Sequence, residues 1–162
     1  ANVLGNLVNR TIAMTKKYFG GIVPAPTAPE ALDDELKAVA LGLPAAVEKK
    51  MDTLHVADAI DEVFALLRRS NNYIDETMPW ALAKDESKKE RLGTVMYNLL
   101  EAIRIAAHLL MPLMPQTSAE ALRRLSCEGE AASDDLKGIC TWGLLAGGQP
   151  VEKGDPLFPR LA

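Results

Sequence analysis

Residues 2–19 carry the pattern that most restricts how this chain folds. One set of mainly apolar side chains recurs there at helical spacing, and a mainly polar set falls on the opposite face. The first set is Leu4, Leu7, Val8, Thr11, Met14 and Tyr18, and the second is Asn2, Asn6, Arg10, Ala13 and Lys17. Gly20 and Gly21 end the pattern, because glycine readily adopts the backbone conformation that stops a helix. The pattern therefore predicts a two-faced helix that buries one side against other helices.

Two longer helical segments follow a proline-rich linker at residues 22–30. The first is predicted over about residues 32–51, interrupted or bent at Pro44, because proline lacks an amide donor and clashes with the preceding turn. The second is predicted over about residues 53–73, and its apolar stripe continues onto Asn71. The stripe, which is the predicted core face of that helix, consists of Val56, Ile60, Val63, Phe64 and Leu67.

Two capping boxes predict where the remaining helices begin. In a capping box, a Ser or Thr and a Glu one turn later each satisfy the other's backbone amide. Ser87 with Glu90 and Thr117 with Glu120 have this spacing. They predict a long helix to about residue 111 and a short helix to about residue 125.

The rest of the chain, residues 126–162, is rich in Gly, Pro and acidic residues and shows no helical period. We expect it to lie over the bundle surface, anchored by Trp142, Leu157 and Phe158. The sequence thus predicts one all-α domain. Residues 1–125 form a helical bundle of about five helices, and residues 126–162 form a non-helical C-terminal tail of the same domain.

Composition excludes several classes of protein. The net charge of −4 over 162 residues argues against a protein that coats nucleic acid without specificity, although residues 1–29 are free of acids and could face an anion, unlike the acidic residues 128–135. No apolar run approaches the ~20 residues that span a bilayer, and the N-terminus lacks the pattern of a secretory signal. Cys127 and Cys140 have no His or Cys at metal-ligand spacing, so we expect reduced thiols in a cytoplasmic protein.

Catalytic chemistry has little support in the sequence. His55 and His108 are the only histidines, and neither stands at motif spacing from a Ser or Cys nucleophile. The chain has no glycine-rich phosphate loop. Adjacent acidic pairs are expected on solvated faces and loops, and they are Asp33 with Asp34, Asp61 with Glu62, and Asp134 with Asp135. We therefore predict no catalytic residue, metal or cofactor in this chain.

Three side chains could instead bind an unstacked nucleic-acid base. Asn6 and Arg10 point the same way from the exposed face of the first helix, and together they offer an amide and a planar fork of donors. Trp80 follows Pro79, where the chain must turn, and an indole held on a turn can stack on a base. An ordinary solvated helix face and a tryptophan that plugs the edge of the core remain the alternatives.

Basic residues near these positions are candidate phosphate contacts. Lys84, Lys88, Lys89 and Arg91 follow Trp80 closely, but acidic residues interrupt them, so they form no strong basic stripe. Among them we select Lys84 and Lys88, together with Lys17 of the first helix, as candidate phosphate contacts.

Four stretches of sequence, taken in this order and at these separations, resemble a known family. They are ANVLGNLVNRT, RSNNYIDETMPWALAKDE, HLLMPLMPQTSAEAL and WGLLAGGQPVEKGDPLFPRL. Together they resemble, nearly end to end, the C-terminal anticodon-binding domain of bacterial-type methionyl-tRNA synthetases. The third block is shared more widely among related class I synthetases.

The resemblance implies a helical bundle that grips the anticodon stem-loop of methionine tRNA and reads its CAU triplet in support of translation. It implies that Asn6, Arg10 and Trp80 read the anticodon, that Pro79 fixes the turn below the indole, and that Asn71 with Tyr73 holds that turn. Its other implied partner is the catalytic domain of the parent ligase, which would use ATP and Mg²⁺. The two adenylate-forming motifs of that domain are missing here, so we expect this chain to be inactive alone. It implies no membrane or DNA partner.

Two alternatives stay open at this point. A helical protein-interaction module could use the same exposed helix face and Trp80, and its binding would depend little on salt, whereas RNA binding weakens steeply as salt is added. The anticodon domain of a sister class I synthetase would share the fold, although the YIDE and PW residues around Tyr73 and Trp80 argue against it.

Overall fold

The computed structural model describes residues 2–127 and 136–158. Its helices are α1 (Asn2–Phe19), α2 (Ala31–Asp52), α3 (Val56–Thr77), α4 (Pro79–Leu82), α5 (Lys89–Leu110), α6 (Pro115–Arg124) and α7 (Leu136–Ile139). A 3₁₀ turn, Glu86–Lys88, precedes α5. The described part has no strand beyond a single bridge between Ile22 and Pro150. The predicted all-α bundle is therefore confirmed, with two four-residue helices added to the five that were expected.

Helix α5 is the centre of the bundle. Nearly every residue from Leu92 to Leu110 is buried, because α1, α2, α3 and α6 all pack against it. The first helix has the predicted bounds, and its predicted apolar face supplies Leu4, Leu7 and Val8 to the core. Gly20 and Gly21, with φ angles of 63° and 81°, end it as expected. The two-faced pattern of α1 is confirmed.

Helices α2 and α3 differ in detail from their predicted forms. Helix α2 continues through Pro44 without interruption, and the proline ring is buried. Helix α3 begins and ends later than predicted, so Val56 lies at its first position and is 40% exposed rather than part of the core. Val63 and Leu67 are buried as expected. Leu54, with a φ of 59°, belongs to the short loop that delays the start of α3.

The predicted turn around Asn71 and Tyr73 is wrong, because both residues lie inside α3. The helix continues until the Met78 amide donates to the Ile74 carbonyl, and the chain turns at Met78, whose φ is 47°. Asn71 is half-buried, and its side chain makes no hydrogen bond within the described residues. The resemblance therefore placed the turn too early, and Tyr73 has a different function, described below.

Neither predicted capping box forms. Asp85 caps the turn before α5, accepting from the Ser87 amide at 3.0 Å and the Ser87 hydroxyl at 2.6 Å. Helix α6 begins with Pro115 at its first position, so Thr117 lies inside the first turn. The Glu120 carboxylate is bound instead to two arginines of the same helix. In both cases a neighbouring residue begins the helix earlier than the box would.

A buried ion pair holds the tail on α5. Glu101 and Arg104 pair at 2.5 Å with both side chains fully buried. Arg104 donates to the carbonyls of Ile139 and Thr141, and Glu101 accepts from the amides of Gly143 and Leu145. We call this group the tail clamp. Trp142, Leu157 and Phe158 pack against the core, which confirms the predicted anchors. The acidic stretch 128–135, with Asp134 and Asp135, and residues 159–162 lie outside the described residues.

No helix among the described residues is long and apolar enough to cross a membrane.

Candidate nucleic-acid interface

Helix α1 places two of the predicted site residues on one exposed face. Asn6 and Arg10 are both exposed, one turn apart, while Leu7 and Thr11 on the other side are buried. Burial of the apolar stripe thus fixes the direction in which the amide and the guanidinium point. This is the arrangement that the helical pattern predicted.

The third site residue is presented by a sharp bend that we call the elbow, residues 78–82. Met78 turns the chain in the left-handed region, and Pro79 starts α4 with its ring buried. The Met78 carbonyl accepts from the amides of Ala81 and Leu82, which closes the bend. Trp80, next to the buried proline, is left 40% exposed. The elbow therefore anchors one residue and presents the next.

Arg10 and Trp80 meet although they are far apart in the sequence. The Arg10 guanidinium carbon lies 5.8 Å from the centre of the Trp80 ring, within the range of a cation–π contact. Within the described residues Arg10 makes no hydrogen bond or ion pair, so its N–H donors remain available to a ligand. Two residues chosen separately from the sequence thus form one surface.

A cleft of about 200 Å³ lies next to the elbow. Lys17 and Lys89 line it together with the elbow residue Leu82, and Lys17 also lies over the Tyr18 ring with its ammonium 5.7 Å from the ring centre. Asp85 and Glu86 form part of the same wall. The cleft therefore combines two cations with two carboxylates. Lys89 was not among the three lysines selected from the sequence, although its position beside Lys88 was visible there.

The other candidate phosphate contacts are dispersed. Lys88 opens into a different cleft, lined also by Glu30, Glu76 and Arg91, and Lys84 is exposed beyond the elbow. Arg91 is unsuited to bind phosphate, because its side chain is largely buried and paired with Asp33 at 2.8 Å. The structure brings Lys17 close to Lys89 but does not assemble Lys17 and Lys88 into one patch.

Asp33 corrects a second expectation. It is buried rather than solvated, and it accepts four hydrogen bonds: two from Arg91, one from the Tyr73 hydroxyl at 2.6 Å and one from the Glu30 amide at 3.0 Å. Burial alone would raise the pKa of this carboxyl, but the bonds from Arg91, Tyr73 and Glu30 outweigh burial and hold the pKa below its usual value. Asp34, its neighbour in the same pair, and Asp61, from another pair, are exposed as predicted.

Asn98 completes the group around Asp33 by donating to the Tyr73 hydroxyl at 3.1 Å. We call Asp33, Tyr73, Arg91 and Asn98 the polar cluster. It joins the start of α2, the last turns of α3 and the first half of α5. The sequence signal for it was the position of Asp33 in the first turn of a helix, where carboxylates often bind amides.

Nucleophilic and metal chemistry gains no support from the described residues. Burial raises the pKa of the Cys140 thiol to about 11, so the thiol stays protonated at neutral pH. His55 bonds the Thr53 hydroxyl in the loop between α2 and α3. Within residues 2–127 and 136–158, no three His, Cys, Asp or Glu side chains are grouped to hold a metal ion. The arrangement near Trp80 is suited to binding by stacking, hydrogen bonds and charge.

Comparison with known proteins identifies the family of this chain. Residues 23–162 match the family described as the anticodon binding domain of methionyl tRNA ligase. The methionine–tRNA ligase of Clostridium perfringens is 46% identical over 167 residues, covering 99% of this chain and 24% of its own length. That of Caldanaerobacter subterraneus is 46% identical over 162 residues, covering 99% of this chain and 25% of its own length.

The fold agrees as well. The structure of Mycobacterium tuberculosis methionyl-tRNA synthetase in complex with methionyl-adenylate superposes with a TM-score of 0.86 at 32% identity, covering 99% of this chain and 31% of that protein. The chain thus spans about a quarter of the length of the curated relatives it matches. Helix α1, with Asn6 and Arg10, precedes the residues matched by the family model but lies within the part aligned to the relatives. The chain belongs to the family of methionyl-tRNA ligase anticodon-binding domains.

Proposed function

We propose that this domain binds the anticodon stem-loop of methionine tRNA and reads its CAU triplet through Asn6, Arg10 and Trp80. The observation that carries the proposal is the contact of the Arg10 guanidinium with the exposed Trp80 ring. Arg10 lies on the same face of α1 as Asn6. A stacking ring and hydrogen-bond donors that meet at one surface are what recognition of a splayed base requires.

Each of the three residues contributes a different interaction. An anticodon base stacks on the accessible part of the indole, a contact worth roughly 1 to 3 kcal/mol per base. Arg10, held over the ring, directs donors to acceptors on the Watson–Crick edge of a base, while the Asn6 amide can both donate and accept. A wrong base leaves these groups without partners in a partly desolvated site, which is how such sites discriminate.

The cleft beside the elbow contributes contacts to the RNA backbone. Lys17 and Lys89 meet phosphates there, and Lys84 and Lys88 add charge further along the stem-loop. Such contacts fix the register without reading sequence. Removing Lys17 is expected to weaken CAU and scrambled stem-loops equally and to lower the salt slope of binding by about 1.

In the parent enzyme the domain positions the tRNA while a separate catalytic domain, using ATP and Mg²⁺, activates methionine and joins it to the tRNA. The relatives are about four times as long as this chain, which leaves ample length for that domain. Anticodon binding is then one of two tethered contacts with the same tRNA, so the isolated domain binds more weakly than the whole ligase.

A titration with anticodon stem-loops tests the proposal. The chain is titrated at one salt concentration with a CAU stem-loop and with a scrambled triplet. Wild type is expected to prefer CAU, and Trp80→Ala and Arg10→Ala are each expected to lose at least about tenfold in affinity for CAU. Leu54→Ala and Arg68→Ala, which alter exposed residues outside the site, are the matched controls and should bind as wild type.

Two results would contradict the proposal. Equal affinity for the two stem-loops in the chain and also in the full-length ligase would remove the anticodon reading. Binding to a protein partner that changes little with salt and is lost in Trp80→Ala would instead favour a protein-interaction module.

A further inference from the structure

The elbow that presents Trp80 has little structure of its own. Helix α4 has only four residues, far fewer than a helix needs to be stable alone. Its hydrogen bonds are backbone bonds within residues 74–85. The direction of the indole must therefore be fixed by what lies beneath and beside the elbow.

The polar cluster lies at that position. Tyr73 stands five residues before the bend, and its carbonyl accepts from the Thr77 hydroxyl at 2.7 Å, in the last turn before Met78. Arg91, bound to Asp33, lines one cleft with Thr77 and with Leu82, the last elbow residue. The cluster thus borders both ends of the elbow.

Three helices are joined at this point by side chains alone. The Tyr73 hydroxyl donates to Asp33 on α2 and accepts from Asn98 on α5. Arg91 binds Asp33 through two parallel N–H donors at 2.8 and 2.9 Å, a planar pairing that tolerates little rotation. Arg91 also donates to the Ala28 carbonyl, and Thr94 accepts from the Ala28 amide, which ties the end of the linker to α5.

Stability alone explains such a cluster poorly. Buried ion pairs often contribute no more than apolar residues of the same size, since desolvation offsets much of their attraction. Directional hydrogen bonds, in contrast, specify one relative placement of the groups they join. Here the groups joined are the helix that ends in the elbow and the central helix beneath it.

We propose that Asp33, Tyr73, Arg91 and Asn98 form a positioning unit that sets the elbow and thereby holds the Trp80 ring against Arg10. The proposal rests on the proposed anticodon reading for its biological role, but the placement of Trp80 can be measured without RNA. These four are positioning residues, because they act on the base through Trp80 and touch no ligand themselves.

The chain offers a matched pair of variants. Tyr73→Phe and Tyr97→Phe each remove one hydroxyl from a buried tyrosine, the first from the polar cluster and the second from its 2.8 Å bond to the Leu145 carbonyl in the tail. Both keep the ring and are expected to fold. With 5-fluorotryptophan incorporated, the two tryptophans give two ¹⁹F signals, which Trp80→Phe assigns.

Tyr73→Phe is expected to shift or broaden the Trp80 signal and leave the Trp142 signal in place, whereas Tyr97→Phe does the reverse. In the stem-loop titration Tyr73→Phe loses about three- to tenfold of the CAU preference, as for one lost hydrogen bond, and Tyr97→Phe loses none. Asp33→Asn, which keeps the shape of the carboxyl but weakens its bond to Arg91, should act like Tyr73→Phe.

An unmoved Trp80 signal in both Tyr73→Phe and Asp33→Asn would overturn the positioning role, as would equal changes in Tyr97→Phe. If the wild-type chain and the full-length ligase show no CAU preference, the proposed function fails, while the ¹⁹F comparison still decides whether the cluster positions Trp80. The two failures are therefore distinguishable.

Discussion

The two tryptophans lie in similar local settings but are held in opposite ways. Each has a cation over its ring, Arg10 at 5.8 Å from Trp80 and Lys37 at 6.0 Å from Trp142. The residues on either side of Trp142 are bound to the buried tail clamp, Thr141 through Arg104 and Gly143 through Glu101. The elbow around Trp80 is closed by its own backbone and supported from below.

The difference distinguishes an anchor from a presented ring. Trp142 packs on the core and its backbone is bound on both sides, so it contributes to holding the tail. Trp80 follows the buried Pro79, and its own ring is exposed. The cation over it, Arg10, keeps N–H donors that make no hydrogen bond within the described residues. A cation over an aromatic ring therefore does not identify a binding site. The hydrogen bonds of the flanking backbone separate the two cases.

The largest expected effect comes from breaking the tail clamp. Arg104→Met leaves Glu101 buried without its cation, which should lower the free energy of unfolding by about 3 to 5 kcal/mol. Arg123→Met is the control, because Arg123 pairs with Glu120 and Glu152 at the surface, where solvent screens the charges, so its loss should lower the free energy of unfolding far less. Urea unfolding followed by circular dichroism measures both. Similar losses in the two variants would contradict the view that the clamp fixes the tail.

Replacing each tryptophan by alanine in turn tests the comparison directly. Trp142→Ala removes a partly buried ring and should cost roughly 2 to 4 kcal/mol of stability, with little effect on CAU preference. Trp80→Ala should cost less than about 1 kcal/mol yet remove the CAU preference. Urea unfolding and stem-loop titration of both variants give a two-by-two result. A large stability loss in Trp80→Ala would show that its ring is an anchor as well.

The sequence predicted the regular parts of the molecule because periodicity reports burial directly. The apolar stripe of α1 fixed which way Asn6 and Arg10 point, and Pro79 before Trp80 marked the bend. The contact between Arg10 and Trp80 was not predictable from spacing, since it depends on how α1 and the elbow pack.

The missed features are tertiary pairings of polar residues. In the sequence, Asp33 and its neighbour Asp34 have the pattern of a solvated acidic pair. Only the approach of Arg91 and Tyr73 from other helices makes the burial of Asp33 favourable. The capping boxes failed for a local reason, because Asp85 and Pro115 begin their helices first. The resemblance places Tyr73 in a turn, whereas its hydroxyl is a buried link between helices.

A second part of the tail allows a steric test of how tightly it is held. A Cβ added at Gly154 would lie 2.7 to 2.9 Å from the Arg124 guanidinium, which is buried against Glu120, Asn9 and the Asp155 carbonyl. Gly154→Ala should therefore cost about 1 to 3 kcal/mol. Gly42→Ala, in α2 with nothing within 4 Å of the new Cβ, should gain about 0.5 to 1 kcal/mol. If thermal unfolding shows that Gly154→Ala does not change the stability, the tail around Gly154 can move to accommodate the added Cβ and is held less tightly than the tail clamp suggests.

The smallest expected effect is the pH dependence of the stability that Asp33 contributes to the polar cluster beneath the elbow. The pKa of Asp33 is lower in the folded chain than its unfolded value of about 3.9. Its contribution to stability is therefore complete above that value and is lost as the pH falls through the folded pKa. Asp33→Asn should be less stable than wild type at pH 7, and the gap should narrow on acidification below about pH 4.

Urea unfolding of both proteins between pH 7 and pH 3 measures that gap. Glu120, whose pKa is lowered to about 2 by its bonds to Arg123 and Arg124, also loses stabilising charge interactions in acid. It is present in both proteins, so its effect cancels in the difference. In wild type the ¹⁹F signal of Trp80 should change as Asp33 is protonated, before that of Trp142. If both signals change together with global unfolding, protonation of Asp33 has no separate effect on Trp80. The polar cluster then supports the whole bundle rather than the elbow, because a local support of one ring should change the signal of that ring first.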